Sequence, residues 1–129
     1  MADSFFDGFT DREVARIKAA GRAVTVPAGW SPISERTGAD KAYILLSGEA
    51  SVRRGGREIA VLGPGEIMGE AAIINHSLRT ASIVALTPLQ LIHFTSETVQ
   101  ELAEEIPAFG ARLREAADAR LGTSSTDGA

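Results

Sequence analysis

The sequence predicts a mainly β domain, its strands gathered in a sandwich or roll, with one helix before them and two after. Two observations carry this. From Ala23 to Phe94, short β-prone runs alternate at regular intervals with glycine and proline turn signals. On either side, after Thr10 and after Thr95, the apolar spacing becomes helical. At 129 residues the chain has room for one compact domain.

The elements follow in order. Thr10-Asp11-Arg12-Glu13 has the form of a capping box, in which a threonine oxygen accepts from the third helical amide and the glutamate reaches back. Val14 and Ile17 continue at helical spacing, Gly21 ends the helix as a C-cap, and Phe5, Phe6 and Phe9 pack before it. Val24-Thr25-Val26 is a strand closed by Pro27-Ala28-Gly29, and Trp30 beyond it is expected to plug the core. Ala42 to Leu46 is a strongly apolar strand ending at Ser47-Gly48. Ser51-Val52-Arg53 and Glu58 to Leu62 flank Gly55-Gly56, a two-residue turn suited to a tight hairpin. Gly63-Pro64-Gly65 forces another turn. Thr80 to Leu86 and Leu89 to Phe94 are expected to pair around Thr87-Pro88. Thr95-Ser96-Glu97 then starts a helix with Val99, Leu102, Ala103 and Ile106 on one face. Pro107 opens a second, with Phe109, Leu113, Ala116, Ala117 and Leu121 as its stripe and Gly122 as its stop. The expected organisation is one domain over 1–122 (helix about 10–20, strands about 23–94, closing helices about 96–121) and a small, polar, disordered tail over 123–129.

Composition narrows the function classes. The apolar fraction of 44% and charged fraction of 23% are those of a globular chain with a buried core. A net charge of −4 argues against a non-specific nucleic-acid binder, and the local basic pair Arg53-Arg54 does not reverse that balance. There is no cysteine, hence no disulfide or thiolate metal site. The N-terminus lacks the basic and apolar regions of a signal peptide, and no run is long and apolar enough to span a bilayer, which predicts a soluble cytoplasmic domain without membrane insertion. The two histidines, His76 in a loop and His93 in a strand, are far apart and form no His-x-His pair, and no nucleophile constellation accompanies them. Neither an enzyme nor a metal or other cofactor is expected.

One stretch stands apart, Gly65 to Ser82. Gly69 lets the backbone approach a ligand closely. Glu70 follows, and Ala71-Ala72-Ile73 can make one helical turn whose bare amides suit an anion. Arg79 returns nine positions after Glu70, at the head of a strand, where its guanidinium can meet the same anion bidentately. A carboxylate beside an anion site needs a donor of its own, and a ribose 2′-hydroxyl supplies one. Acid, small-residue turn and arginine together describe a ribose-plus-phosphate ligand.

Met68-Gly69-Glu70-Ala71-Ala72-Ile73 and Leu78-Arg79-Thr80-Ala81-Ser82 resemble the phosphate-binding cassette of the cyclic-nucleotide-binding domain family, the module of catabolite-activator-type regulators and of kinase regulatory subunits. Tyr43 to Ala50, Leu62 to Glu66 and Leu102 to Leu121 extend the resemblance over residues 5–121, and its form is the stand-alone bacterial type. The resemblance implies a double-stranded β-helix, a jelly-roll-like β-roll, and cAMP or possibly cGMP as ligand. Glu70 would hold the ribose 2′-hydroxyl and Arg79 an equatorial phosphate oxygen. Gly69, Ala71 and Ala72 would offer amides, Thr80 and Ala81 would complete the phosphate cradle, and Ile83 and Val61 would line the base side. Three residues depart from the family pattern: Met68 for phenylalanine, Leu78 for proline, and Ala71 for a larger apolar residue that helps couple cassette to helices.

The implied function is a receptor that moves its C-terminal helices on binding. The chain ends eight residues after Leu121 with no helix-turn-helix in view, so direct DNA binding is not expected. Output would pass through an effector protein, self-association or sequestration of the ligand. The competing reading is a degenerate fold of the same family acting as a ligand-independent interaction module.

Overall fold

The computed structural model describes residues 5–34, 41–69 and 81–116. Its first element, α1 (Asp11–Ala20), begins with the capping box in place. Thr10 Oγ1 accepts from the Glu13 amide at 3.1 Å, and Glu13 Oε1 accepts from the Thr10 amide at 2.9 Å. Gly21 ends the helix by a different mechanism from the one expected. Its φ of −100° is extended rather than left-handed. A β-carbon at this position would run into the side chains of Ile92 and Phe94, so glycine is required by close approach of the backbone to the sheet.

Seven strands follow: β1 (Arg22–Val26), β2 (Lys41–Ser47), β3 (Ala50–Arg54), β4 (Arg57–Leu62), β5 (Ile67–Met68), β6 (Ser82–Ala85) and β7 (Leu89–Thr95). All their pairings are antiparallel, in a four-stranded sheet of order β1-β7-β2-β5 and a three-stranded sheet of order β4-β3-β6. Two helices close the described chain, α2 (Ser96–Glu105), capped by Thr95, and α3, helical over 107–116. This is a β-roll with flanking helices, and none of the described helices is long and apolar enough to cross a membrane.

The four-stranded sheet is the middle of three layers. On one face Val26, Tyr43, Leu45, Met68, Leu89 and Leu91 meet Ala50, Val52, Leu62, Ile83 and Ala85 of the other sheet. On the opposite face Ala42, Ile44, Ile67, Ile92 and Phe94 meet Ile17 of α1, Val99 and Leu102 of α2, and Phe109 and Leu113 of α3. A strand covered on both sides reads as a continuous apolar run, and this is why Ala42 to Leu45 carries no polar residue.

Two expectations are corrected. β6 and β7 do not pair with each other: β6 lies against β3, and β7 lies between β1 and β2. Pro88 has no amide to continue a ladder. The connection is instead tied to Glu49, whose carbonyl accepts from the Leu86 and Thr87 amides at 2.9 and 3.4 Å. Alternate residues of β7 are needed in two different cores, and only a middle-layer strand supplies both. Trp30, expected in the core, is 67% exposed. Its amide and carbonyl are taken by Pro27 and by the Ala85 amide, which fixes the backbone along β6 and leaves the indole outside.

Phe5 joins distant parts of the chain. Its amide donates to the Gly65 carbonyl at 2.6 Å, and its ring meets Phe109 edge-on with centroids 5.6 Å apart. Arg112 Nε donates to the Phe5 carbonyl at 3.3 Å.

Candidate ligand-binding site

The approach to the site is built by hydrogen bonds around Gly63 to Glu66. Glu66 Oε2 accepts from the Gly63 amide at 2.5 Å. The Gly65 amide donates to the Leu45 carbonyl at 2.7 Å, and the Leu45 amide to the Glu66 carbonyl at 2.9 Å. These bonds bring β5 alongside β2, with Met68 opposite Tyr43 and both buried. Gly69 follows with φ +88°, a left-handed value that glycine adopts without the steric cost of a side chain. The chain leaves the four-stranded sheet at this point. It is described again at Ala81, packed against the inner core, and Ser82 opens β6 opposite Arg53 of the three-stranded sheet. Glu70, Ala71, Ala72, Arg79 and Thr80 lie outside the described residues. Gly69 and Ala81 thus mark two ends of the candidate cassette, one on each sheet.

The apolar wall between the sheets is set by strand alternation. Val52 and Ile83 are cross-strand partners on the inner face, and Ile33 bridges Ile83 from the far side through a 2.8 Å bond between the Ile83 amide and the Ile33 carbonyl. Ser31 Oγ fastens this edge by bonding to the Ile33 and Ile83 carbonyls at 2.6 and 2.7 Å. Val61 pairs with Ser51, the residue before Val52, and is 47% exposed. Neighbouring residues of a strand point to opposite faces, so Val61 and Ile83 are not brought to one surface. On β4 the inner core takes Leu62, with Ile59 packed against it. The pairing shifts between Val52 and Arg53, leaving Ile59 as the extra residue of a bulge, packed against the inner core. The resemblance implied Val61 on the base side; in the structure it lies on the opposite face of the sheet from Ile83. Val52 and Ile33, absent from the sequence-based set, follow from alternation counted outward from Ala50 and from the bridge to β6.

The outer face of the same sheet is polar at its centre. Ser51, fully buried, donates to Glu58 Oε1 at 2.7 Å and accepts from Arg53 Nε at 3.1 Å. Arg53 and Glu58 face each other across β3 and β4, so the hydroxyl links a charge pair already in register. His93 lies in β7 with its ring 5.4 Å from that of its cross-strand partner Tyr43. Among the described residues no cluster of three metal-ligating side chains occurs.

Comparison with known proteins adds family membership. The profile of the cyclic nucleotide-binding domain matches residues 23–105, from the second residue of β1 to the end of α2. A CRP-like cAMP-activated global transcriptional regulator of Mycobacterium tuberculosis is 24% identical over 113 residues, 84% of this chain and 50% of the regulator. A cyclic nucleotide-gated potassium channel of Mesorhizobium japonicum is 30% identical over 113 residues, 88% of this chain and 31% of the channel. The chain therefore spans half or less of the length of these relatives. Among solved structures, the catabolite activator protein of Thermus thermophilus superposes with a TM-score of 0.84 at 26% identity, over 95% of this chain and 60% of that one. A cyclic nucleotide-binding domain from Methylobacillus flagellatus gives 0.79 at 26% identity, covering 95% and 74%. With the profile spanning both sheets and both ends of the candidate cassette, the chain belongs to the cyclic nucleotide-binding domain family.

Proposed function

We propose that the chain is a cyclic-nucleotide receptor of the cytoplasm, that cAMP is its ligand in preference to cGMP, and that binding acts through α2 and α3 on an effector protein or a second copy. The observation that carries the reading is the family match across residues 23–105, which contains Glu70 and Arg79 at a cassette spacing of nine. The described ends of the cassette support it: Gly69 has the left-handed backbone of a close turn, and Ala81 packs beside the apolar wall of Val52, Ile59 and Ile83. In this reading Glu70 accepts from the ribose 2′-hydroxyl. Arg79 pairs the phosphate, with the amides of Gly69, Ala71, Ala72 and Ala81 and the Thr80 hydroxyl around it. The inner wall takes the apolar face of the base at Ile83, while Val61 contributes only through the backbone of its strand. No step of bond making or breaking is assigned.

Titration calorimetry with cAMP, cGMP and 5′-AMP tests the ligand. The expected order is cAMP, then cGMP, with 5′-AMP weakest. Arg79→Ala removes hydrogen bonds to a charged group, each worth about 1.5–3 kcal/mol, and is expected to weaken cAMP by about ten- to a hundredfold. Absence of cyclic-nucleotide heat from the wild-type chain at millimolar ligand would favour the ligand-independent interaction module instead.

A further inference from the structure

Of the four large hydrophobic side chains exposed among the described residues, three lie on or beside the three-stranded sheet: Trp30 at 67%, Val61 at 47% and Leu86 at 42%. Their positions follow from the register. Val61 and Val84 are the cross-strand partners of Ser51 on its two sides, so the row Val61-Ser51-Val84 crosses the outer face of β4, β3 and β6. Ser51 is fully buried at its centre, beneath Arg53 and Glu58, which bond to its hydroxyl. Leu86 stands two residues beyond Val84 on the same side, its amide bonded to the Glu49 carbonyl. The Trp30 carbonyl accepts from the Ala85 amide, which places Trp30 at the margin of the strip, next to Leu86.

An exposed apolar strip rimmed by charge marks an association surface. The outer edge of the same sheet is a poorer one. β4 is blunted there by the bulge at Ile59 and by exposed Arg57 and Glu58, which discourage strand addition. The charges on the face then choose the partner. Glu49 and Arg53 lie two residues before and two after Ser51, both on its outer side. Glu49 is exposed and makes no ion pair among the described residues. A twofold axis along the row Val61-Ser51-Val84 sets a second copy face to face, its strands antiparallel to the first. Glu49 of each copy then meets Arg53 of the other, and Val61 and Val84 meet their own equivalents. A twofold interface requires this self-complementarity, and aligned sheets pack with strand directions within about 30° of each other.

We infer that the outer face of the three-stranded sheet is a self-association surface that joins two copies of this chain. It lies on the layer opposite α2 and α3 and needs no ligand. The face is three strands wide and five residues long, about 15 by 17 Å. That is well below the roughly 800 Å² per partner of a standard interface, so the dimer is weak and transient.

Sedimentation of the full chain over about 10–500 μM, the range of weak complexes, tests it together with the emission of Trp30, the single tryptophan of the chain. The expected result is a monomer–dimer equilibrium that weakens with salt, with tryptophan emission moving to shorter wavelength over the same concentrations. Glu49→Arg is expected to weaken the dimer about tenfold, by turning two attractive pairs repulsive. Val61→Lys, which puts a charge in the apolar row, is expected to weaken it at least as much. Mixing Glu49→Arg with Arg53→Glu is expected to restore association, since one copy then carries two bases and the other two acids. Should Arg53→Glu fail to fold, the other two variants, both at exposed positions, decide the question without it. A wild-type chain that stays monomeric throughout overturns the inference. A dimer that keeps its affinity in Glu49→Arg and Val61→Lys, with tryptophan emission independent of concentration, overturns it as well, by placing the contact on another face.

Discussion

At Gly21 the absence of a side chain is used for space. The residue sits between α1 and β1 with extended φ, a conformation open to alanine, yet an added methyl would meet Ile92, Phe94 and the His93 carbonyl. Two of these contacts are buried side chains of the helix-facing core, which is closely packed and cannot give freely. Gly21→Ala is therefore expected to destabilise by about 1–3 kcal/mol through overpacking alone. Denaturant melts would show it as a lower midpoint at unchanged slope. A variant as stable as wild type would mean that β7 shifts away at no cost, which would sink the steric account. The sequence showed that the helix stops at this glycine; it could not show why, because the neighbours that exclude a methyl come from residues about seventy positions away.

At the level of elements, local signals proved legible and the partnerships between strands did not. The capping box at Thr10, the cap at Thr95 and the Gly55-Gly56 turn all act within four residues, and each forms as the chemistry of its own residues dictates. The assignment of β6 and β7 to different sheets depends on Glu49, nearly forty residues upstream, and the inward turn of Ile59 rather than Val61 depends on a bulge that alternation alone cannot reveal. One contact between elements lends itself to measurement by pH. Arg16 of α1 donates from Nε to Glu105 Oε2 at 2.6 Å and from Nη2 to Oε1 at 2.8 Å, at the C-terminal end of α2. These hydrogen bonds, with the attraction of the guanidinium, hold the Glu105 carboxyl below its ordinary value. A carboxyl whose folded value is depressed stabilises the fold above its unfolded value and loses that contribution as pH falls through the folded one. The stability difference between wild type and Arg16→Gln is thus expected to be present at neutral pH, to decline as pH falls below about 4.3, the ordinary glutamate value, and to vanish below the lowered folded value. Both side chains are about half exposed (46% and 47%), so the difference is small and shrinks with salt. Melts across that pH range check it, and a difference independent of pH would show that Arg16 acts through packing.

At the scale of the molecule, the described residues form two cores separated by one sheet. The helix-facing core includes Ile17, Phe94, Phe109 and Leu113; the inner core includes Leu45, Val52, Ile83 and Leu91. Among the described residues no side chain belongs to both, because the strands of the middle layer deliver alternate residues to each. A loss of packing among the helices therefore has a route to relax that leaves the wall beside Ala81 intact, and local opening in proteins follows such contiguous units. Phe109 is the place to test this, since it is fully buried in α3 and meets Phe5, which in turn bonds to Gly65 at the approach to the cassette. Phe109→Leu keeps an apolar side chain while leaving a small cavity, at a cost of about 1–2 kcal/mol. Hydrogen exchange is expected to show loss of protection in α2 and α3 while the amides of β3 and β6 keep theirs. Uniform loss across both sheets would mean that the cores yield together, and helix movement could then not be separated from the integrity of the ligand wall. Separable layers have a further consequence for the proposed receptor role. Ligand binding can favour one arrangement of the helices only by the difference in its affinity for the two, and a helix layer that shifts without disturbing the inner core leaves most of that difference to groups near the cassette and to the Phe5 bridge.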